Sequence, residues 1–279
     1  MIFDRLAFSI KQRIFWKSVR SKRSAWESLK QSKDSVTVSV SEFSQIKLST
    51  TSELSSHIYC GAFEWAEREW LLSELKAGDV FYDIGANIGY FTIIAAERCG
   101  SAGKVIAFEP VQSTFDLLTE NIKLNPSLRN VKLMNLAVSD QEGEVNIYVP
   151  DKGKDAWNSI AVKPDTGEYK TEVIRTIVPD QLFADKSLPA PSIIKLDVEG
   201  WELHALKGMR KILSECNPTL LIEFTAMNLE AAGTSGTALA EFLQQLNYDL
   251  FEYEPRYRRL NAVSEFEFEH KNLIARKKS

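Results

Sequence analysis

The sequence is poor in cysteine: Cys60, Cys99 and Cys216 are its only three among 279 residues, odd in number and far apart. That excludes a disulfide framework and a Cys-x-x-Cys zinc or redox site, and it fits a reducing, intracellular compartment. No run of about 18 apolar residues, as a bilayer span needs, is present. The first residues carry scattered charges in place of an apolar segment with a small-residue cleavage site, so neither secretion nor membrane spanning is expected, and the expected location is the cytoplasm. An excess of positive charge is missing too, with 34 Lys and Arg against 38 Asp and Glu and a net charge of −4. A broad basic face for nucleic acid is therefore not expected. There is no internal repeat and no low-complexity tract beyond a Ser/Thr bias. What remains is 44% hydrophobic and 26% charged residues, enough for a sizeable core in one large domain with an appendage.

The appendage has a charge of its own. Residues 1–23 hold Arg5, Lys11, Arg13, Lys17, Arg20, Lys22 and Arg23 against Asp4 alone, so this arm is +6 and the remainder −10. Phe3, Leu6, Ala7, Ile10 and Ile14 recur at helical spacing, with Phe15, Trp16 and Val19 extending the apolar side, which is the make-up of a basic amphipathic helix. It could dock on the acidic body of the same chain or a second subunit, or lie on an anionic membrane surface as a peripheral contact. The arm is placed at residues 1–31 and an extension at 32–78. In that extension Val36, Val38 and Val40 alternate with Thr37, Ser39 and Ser41, as an added strand or hairpin would, and residues 63–72 read as a helix ending near Gly78.

From Asp79 to the end of the chain, residues 79–279, the pattern becomes regular. Short apolar runs alternate with helical windows: 80–84 and a helix to Cys99, 104–108 and a helix to Asn125, a strand over 131–138, then 193–196 with a helix to Ser214, and 219–224 with a helix over 237–246. Strand and helix in alternation predict a doubly wound α/β fold, a parallel sheet covered on both faces. The last strands, 248–253 and 266–275, are joined by an irregular charged segment and are predicted to pair antiparallel. Residues 144–149 and 172–178 break the alternation, and the stretch 150–170 between them reads as a surface insertion or lid.

The first strand leads into Asp83-Ile84-Gly85-Ala86-Asn87-Ile88-Gly89-Tyr90, a tight turn between strand and helix of the kind that holds a nucleotide cofactor. In a dinucleotide-binding Gly-x-Gly-x-x-Gly turn the second glycine admits a pyrophosphate. Here that place holds Asn87, so a cofactor without phosphate, such as S-adenosylmethionine, fits better; Gly85 would allow its methionine part close to the backbone, and Asp83 would meet its ammonium or position the turn. Glu109, about 20 residues beyond Gly89 at the end of the second strand, can grip two ribose hydroxyls. The plain structural alternative is that it caps the helix after Pro110.

Together with Ala107-Phe108-Glu109-Pro110, Ala137-Val138-Ser139-Asp140 and above all Lys195-Leu196-Asp197-Val198-Glu199-Gly200-Trp201-Glu202, this turn resembles the FkbM family of S-adenosylmethionine-dependent methyltransferases. The resemblance spans about residues 61–224. It implies a class I, Rossmann-like methyltransferase sheet of seven strands with an antiparallel final strand, and O-methylation of sugars, polyketides or related natural products. It further implies Asp83, Gly85, Ala86, Asn87, Gly89, Tyr90, Glu109 and Asp197 as cofactor contacts, with Ala137 beside the adenine.

Ligands of open α/β sheets bind beyond the carboxyl ends of the strands, so Asp197, Glu199 and Glu223 are expected in one crevice. Asp197 or Glu199 could take the proton of a hydroxyl acceptor, while Lys195, of the same strand parity as Asp197, should hold it by a salt bridge. A divalent metal among these carboxylates is a second possibility, and helix capping by Glu199 a third. His204 and His57 are further candidate bases. Trp157, Trp201 and Tyr169 could stack on a sugar or simply pack. The acceptor pocket is expected from 65–70, 150–170 and 226–237. Asn217-Pro218 lacks the residues and the position of an amine-methylating motif. The favoured function is an O-methyltransferase acting on a saccharide, glycolipid or small natural product; the alternatives are a catalytically silent binding module recruited through the arm, and an NAD-type oxidoreductase.

Overall fold

The protein, seen in a computed structural model, is described over residues 2–150, 160 and 169–278. Helix α1 (Ile2–Lys30) leads into the hairpin β1 (Ser35–Ser39) and β2 (Gln45–Ser49), then α2 (Glu53–Cys60) and α3 (Trp65–Glu74). The alternating part follows: β3 (Val80–Ile84), α4 (Tyr90–Cys99), β4 (Lys104–Phe108), α5 (Gln112–Lys123), β5 (Val131–Met134), β6 (Ala137–Val138), β7 (Gly143–Pro150), β8 (Tyr169–Ile177) and α6 (Pro179–Ala184). It continues with β9 (Ile193–Leu196), α7 (Glu202–Lys207), α8 (Arg210–Glu215), β10 (Thr219–Thr225), α9 (Ala226–Ala231), α10 (Gly236–Gln245), β11 (Tyr248–Glu254), β12 (Arg259–Ala262) and β13 (His270–Lys277).

The main sheet runs β12-β11-β13-β10-β9-β3-β4-β5. Strands β3, β4, β5, β9 and β10 are mutually parallel, and the last strand, β13, lies antiparallel between β10 and β11, as expected. The sheet has eight strands where seven were expected, because β12 adds itself to the outer edge of β11. Its residues, Arg-Leu-Asn-Ala, form too short and polar a run to stand out in the sequence, and such a strand suits an exposed edge.

Both faces of the sheet are covered, which is why its strands read as continuous apolar runs. Alternate residues enter opposite cores: Tyr82, Ile194 and Ile222 join one with α7, α8 and α10, while Phe81, Ile193 and Leu221 join the other with α2, α3 and α4. The second core also takes Ile46 and Leu48 of β2 and Trp26 of α1. Edge strand β2 is clamped by one asparagine of α5 and one just beyond its end: Lys47 N donates to Asn121 Oδ1 at 2.7 Å and Gln45 N to Asn125 Oδ1 at 2.8 Å.

Several boundaries differ from the sequence reading. The strand expected over 131–138 divides at Asn135, whose Nδ2 donates to the carbonyls of Glu109 and Pro110; β6 then pairs with β8 in a separate three-stranded sheet, β6-β8-β7. The helix expected to reach Ser214 breaks at Gly208, where a Cβ would stand 1.9 Å from the Ser139 carbonyl oxygen. Two short helices, α2 and α9, occupy stretches read as strand-flanking or loop, and β13 starts at His270 and not at residue 266. Residues 151–159 and 161–168, with Trp157 and most of the expected lid, lie outside the described residues.

Helix α1 runs on to Lys30 and docks by Val19 and Trp26, both buried, with Trp26 against Tyr59 at 5.1 Å. Among the described residues no helix is long and apolar enough to cross a membrane. Since Trp26 fills the core beneath β3, Trp26→Ala should cost about 3–5 kcal/mol in denaturant unfolding. A loss below about 1 kcal/mol would mean that the helix is not part of the cooperative unit.

Candidate active site

A cleft of about 290 Å³ opens at the carboxyl ends of β3, β4, β9 and β10, where ligands of such sheets bind and at the lower end of small-molecule site volumes. The turn after β3 is tied to β4, as Gly85 N and Ala86 N both donate to the Phe108 carbonyl, at 3.0 and 2.9 Å. Gly85 has φ +84°, and a Cβ there would lie 1.8 Å from the Asp197 carbonyl oxygen. Glycine is thus demanded by the approach of the chain segment after β9, whatever ligand is bound. Asn87 takes a left-handed φ of +48°; its Oδ1 accepts from Ile88 N at 2.8 Å and its backbone N donates to Glu109 Oε2 at 3.0 Å. Gly89 turns towards α5, its missing Cβ facing Leu118.

Asp83 is buried and accepts from the Thr92 hydroxyl. Glu109 is buried as well, and its Oε1 accepts from Val111 N at 3.0 Å, ahead of the first residue of α5. Burial pushes the Glu109 carboxyl up to about 7, against the hydrogen bonds from Val111 and Asn87 that favour its charged form. Asp83, Gly85, Ala86, Asn87, Tyr90, Glu109, Ala137 and Asp197 all line the cleft; Gly89 is outside its described lining.

Deeper in, the expected ion pair is present: Lys195 Nζ lies 2.6 Å from Asp197 Oδ2, and 4.0 Å from Glu64 Oε2. Burial works to lower the Lys195 pKa, but the charges of Asp197, Glu64 and Asp83 outweigh it and hold the ammonium well above its ordinary value. Asp197, Glu199 and Glu223 each bring an oxygen within 4.8 Å of the others. Glu199 sits at φ +51° and accepts from Asn228 Nδ2 at 2.6 Å. The N-cap position of α7 is Trp201, whose side chain makes no capping hydrogen bond; Glu202, at the first helical position, instead ties down the preceding turn, its Oε1 accepting from Val198 N and Gly200 N at 3.1 Å. Burial and the charge of Asp197 raise the carboxyls of Glu199 and Glu223 well above the usual carboxylate range. Such a group can hold protons, accept one from a ligand, or bind a divalent cation.

The candidate His204 is not brought into this group. Its ring stacks on Trp201 at 4.0 Å, its Nδ1 lies 3.1 Å from Asp140 Oδ1, and it is outside the described lining, as is His57. Trp201 does line the cleft, whereas Tyr169 packs edge-on against Tyr148. The sequence reading missed Glu64 and His270. Glu64 stands before α3 with a left-handed φ of +36°, and His270 lies 3.4 Å from Glu223 Oε1 because β13 pairs residue 270 with Thr225. Neither lies in a local pattern that could have marked it.

The pH dependence of stability follows from these burials. Burial raises Glu64 to about 8 and Glu109 and Glu202 to about 7, from an ordinary 4.5. Between these limits the folded chain holds protons that the unfolded chain has released, so stability is greatest on the acid side of the window and falls as pH rises through about 7 and 8. The thermal midpoint of the ligand-free protein should therefore rise on going from about pH 8.5 to pH 6. A midpoint that falls over this range would contradict the assignment.

A family described as the methyltransferase FkbM domain matches residues 83–250, more than half of the chain and the stretch that supplies most of the cleft lining. Hexuronic acid methyltransferase AglP of Haloferax volcanii is 33% identical over 147 residues, 53% of this chain and 56% of that protein. The 31-O-demethyl-FK506 methyltransferase FkbM of Streptomyces tacrolimicus is 30% identical over 166 residues, 49% of this chain and 61% of that protein. The chain thus spans 56% and 61% of the length of these two relatives. The solved structure of a methyltransferase FkbM from Methylobacillus flagellatus KT aligns with a TM-score of 0.45 at 16% identity, covering 90% of this chain and 58% of that one. By the match across its cleft-forming segment, the chain belongs to the FkbM methyltransferase domain family.

Proposed function

We propose that the protein is an S-adenosylmethionine-dependent O-methyltransferase whose acceptor is a hydroxyl of a saccharide, a glycolipid or another small natural product. One observation carries the reading: the turn at Gly85 to Asn87, the buried Glu109 and the carboxylates of Asp197, Glu199 and Glu223 face a single cleft. The acceptor class draws support from two relatives, one named for a hexuronic acid and one for 31-O-demethyl-FK506.

S-adenosylmethionine, when bound, supplies a methyl group activated by a sulfonium. In this reading Glu109 takes the ribose hydroxyls through the lone pairs left over by Asn87 and Val111, Ala137 borders the adenine, and Asp83, Asp197 and the turn at Gly85 hold the methionine end. Phe63, Phe91, Ile147 and Ile160 supply the apolar walls that keep water away. Transfer would exchange the methyl group's bond to sulfur for one to the acceptor oxygen, so the chief contribution of these residues would be to align the acceptor. Asp197 or Glu199 would accept the hydroxyl proton. Burial and the charge of Asp197 raise the basicity of Glu199, which suits a general base, and Lys195 fixes Asp197 in place.

Calorimetry should show binding of S-adenosylhomocysteine and none of NAD; failure of the former ends the reading. Glu109→Ala should weaken that binding by about 1.5–3 kcal/mol.

Glu199→Gln should lower kcat by about 10²–10⁴ while leaving cofactor affinity nearly intact, and Asp197→Asn should lower kcat by a similar factor and by more than it lowers cofactor affinity. In the unmodified enzyme, the rate should rise with pH on an acid limb lying above the ordinary carboxylate range, and Glu199→Gln should displace that limb. Turnover unaffected by a chelator supports proton acceptance. Loss restored by magnesium would reassign the three carboxylates to a cation.

A further inference from the structure

Helix α1 has two unlike faces. Phe15, Val19 and Trp26 point to the body: Val19 and Trp26 are buried, and the Phe15 ring lies 5.7 Å from that of Trp65. Ile14 precedes Val19 by five positions, which at about 100° per residue sets it about 140° away around the helix. It is 65% exposed, and Trp16, on the flank of the docked stripe, is 45% exposed. Arg13, Lys17 and Arg20 fall at about 100–160° from Val19 by the same geometry, and all three are exposed. The outward face therefore carries three cations between a bare isoleucine at one border and an indole at the other. In the sequence, Phe3, Leu6, Ala7 and Ile10 continue the spacing of Ile14 and not that of the docked residues.

We infer that this outward face is a docking surface for an anionic lipid bilayer. The intramolecular partner of α1 is already seated on the opposite face, so the body does not cover Ile14. The charge division points to the partner. The arm is +6 and the remainder of the chain −10, so an acidic membrane surface repels the body and attracts the arm alone. Cations that reach the headgroups, flanked by Ile14 on one side and by the interfacial indole of Trp16 on the other, are the features of a helix that lies against an anionic interface. The inference does not depend on the methyl-transfer reading, because none of these five side chains lines the cleft.

The test is co-sedimentation of the full chain with phosphatidylcholine vesicles with and without about 30% phosphatidylserine. Binding to the anionic vesicles alone, weakened by salt, is expected. Replacing Arg13, Lys17 and Arg20 together by Ala should lower partitioning about a hundredfold, about fivefold per charge. Ile14→Ser with Trp16→Ser should lower it about tenfold, with the melting temperature of both variants unchanged. The inference is overturned if anionic vesicles leave the protein in solution, if neutral vesicles bind it equally, or if the triple variant binds as before. It is also overturned if sedimentation velocity shows a dimer that the triple variant loses, which would assign the face to a second copy of the chain.

Discussion

The site is organised by one buried ammonium set among many carboxylates. Lys195 is the only lysine or arginine among the described residues lining the cleft, whereas Glu64, Asp83, Glu109, Asp197, Glu199 and Glu223 all reach it. A single cation cannot offset that many buried anions, and the cost of keeping them dry appears as raised pKa values at Glu64, Glu109, Glu199 and Glu223. Lys195 is committed to Asp197, with Glu64 4.0 Å away on the other side. The cleft is therefore short of positive charge where the proposed donor would bring a sulfonium and an ammonium. Binding that donor would relieve a strain that the ligand-free fold tolerates only by holding protons.

A second constraint is steric. The turn after β3 can reach its position only because Gly85 leaves room for the carbonyl of Asp197, and Gly200 likewise leaves room for the Asn228 carbonyl, 2.4 Å from where a Cβ would stand. The same two close approaches set the direction of Asp197 and of Glu199, which is held by the Asn228 side chain. Motif glycines that suggest a ligand in the sequence thus serve first to bring backbone segments together. The ligand-facing surface is a consequence of that convergence.

This explains how far the sequence could be read. Strands β3, β4, β9 and β10 were legible because each is buried on both faces, and the ion pair between Lys195 and Asp197 because residues two apart on a strand share a face. The pieces of the cleft supplied by Gly85, Glu109 and Ala137 come from strand ends, which the alternation of elements marks. His270 was not legible, because its place depends on the pairing of β13 with β10, in which it lies opposite Thr225, 45 positions earlier in the chain. Glu64 depends on an irregular turn before α3. His204 misled for the opposite reason: it lies near Glu199 in sequence, but one helical turn carries it to Trp201 and Asp140. The strand expected over 131–138 failed at Asn135, a residue whose side chain serves the connection after β4 and so ends one strand to begin another sheet.

The position of α1 joins the periphery to the site. Trp26 belongs to the same core as Phe81 of β3 and Phe91 of α4, and Phe91 in turn lines the cleft beside Lys195, whose ammonium stands 4.9 Å from its ring centre. The helix is therefore fixed on its inner side by the packing that carries the first strand and the helix after the turn. A contact made by its outer side need not loosen the inner one, since the two use different residues about half a turn apart. An arm built in this way can hold the body against a surface while the cleft keeps its shape, because close-packed cores resist gradual deformation.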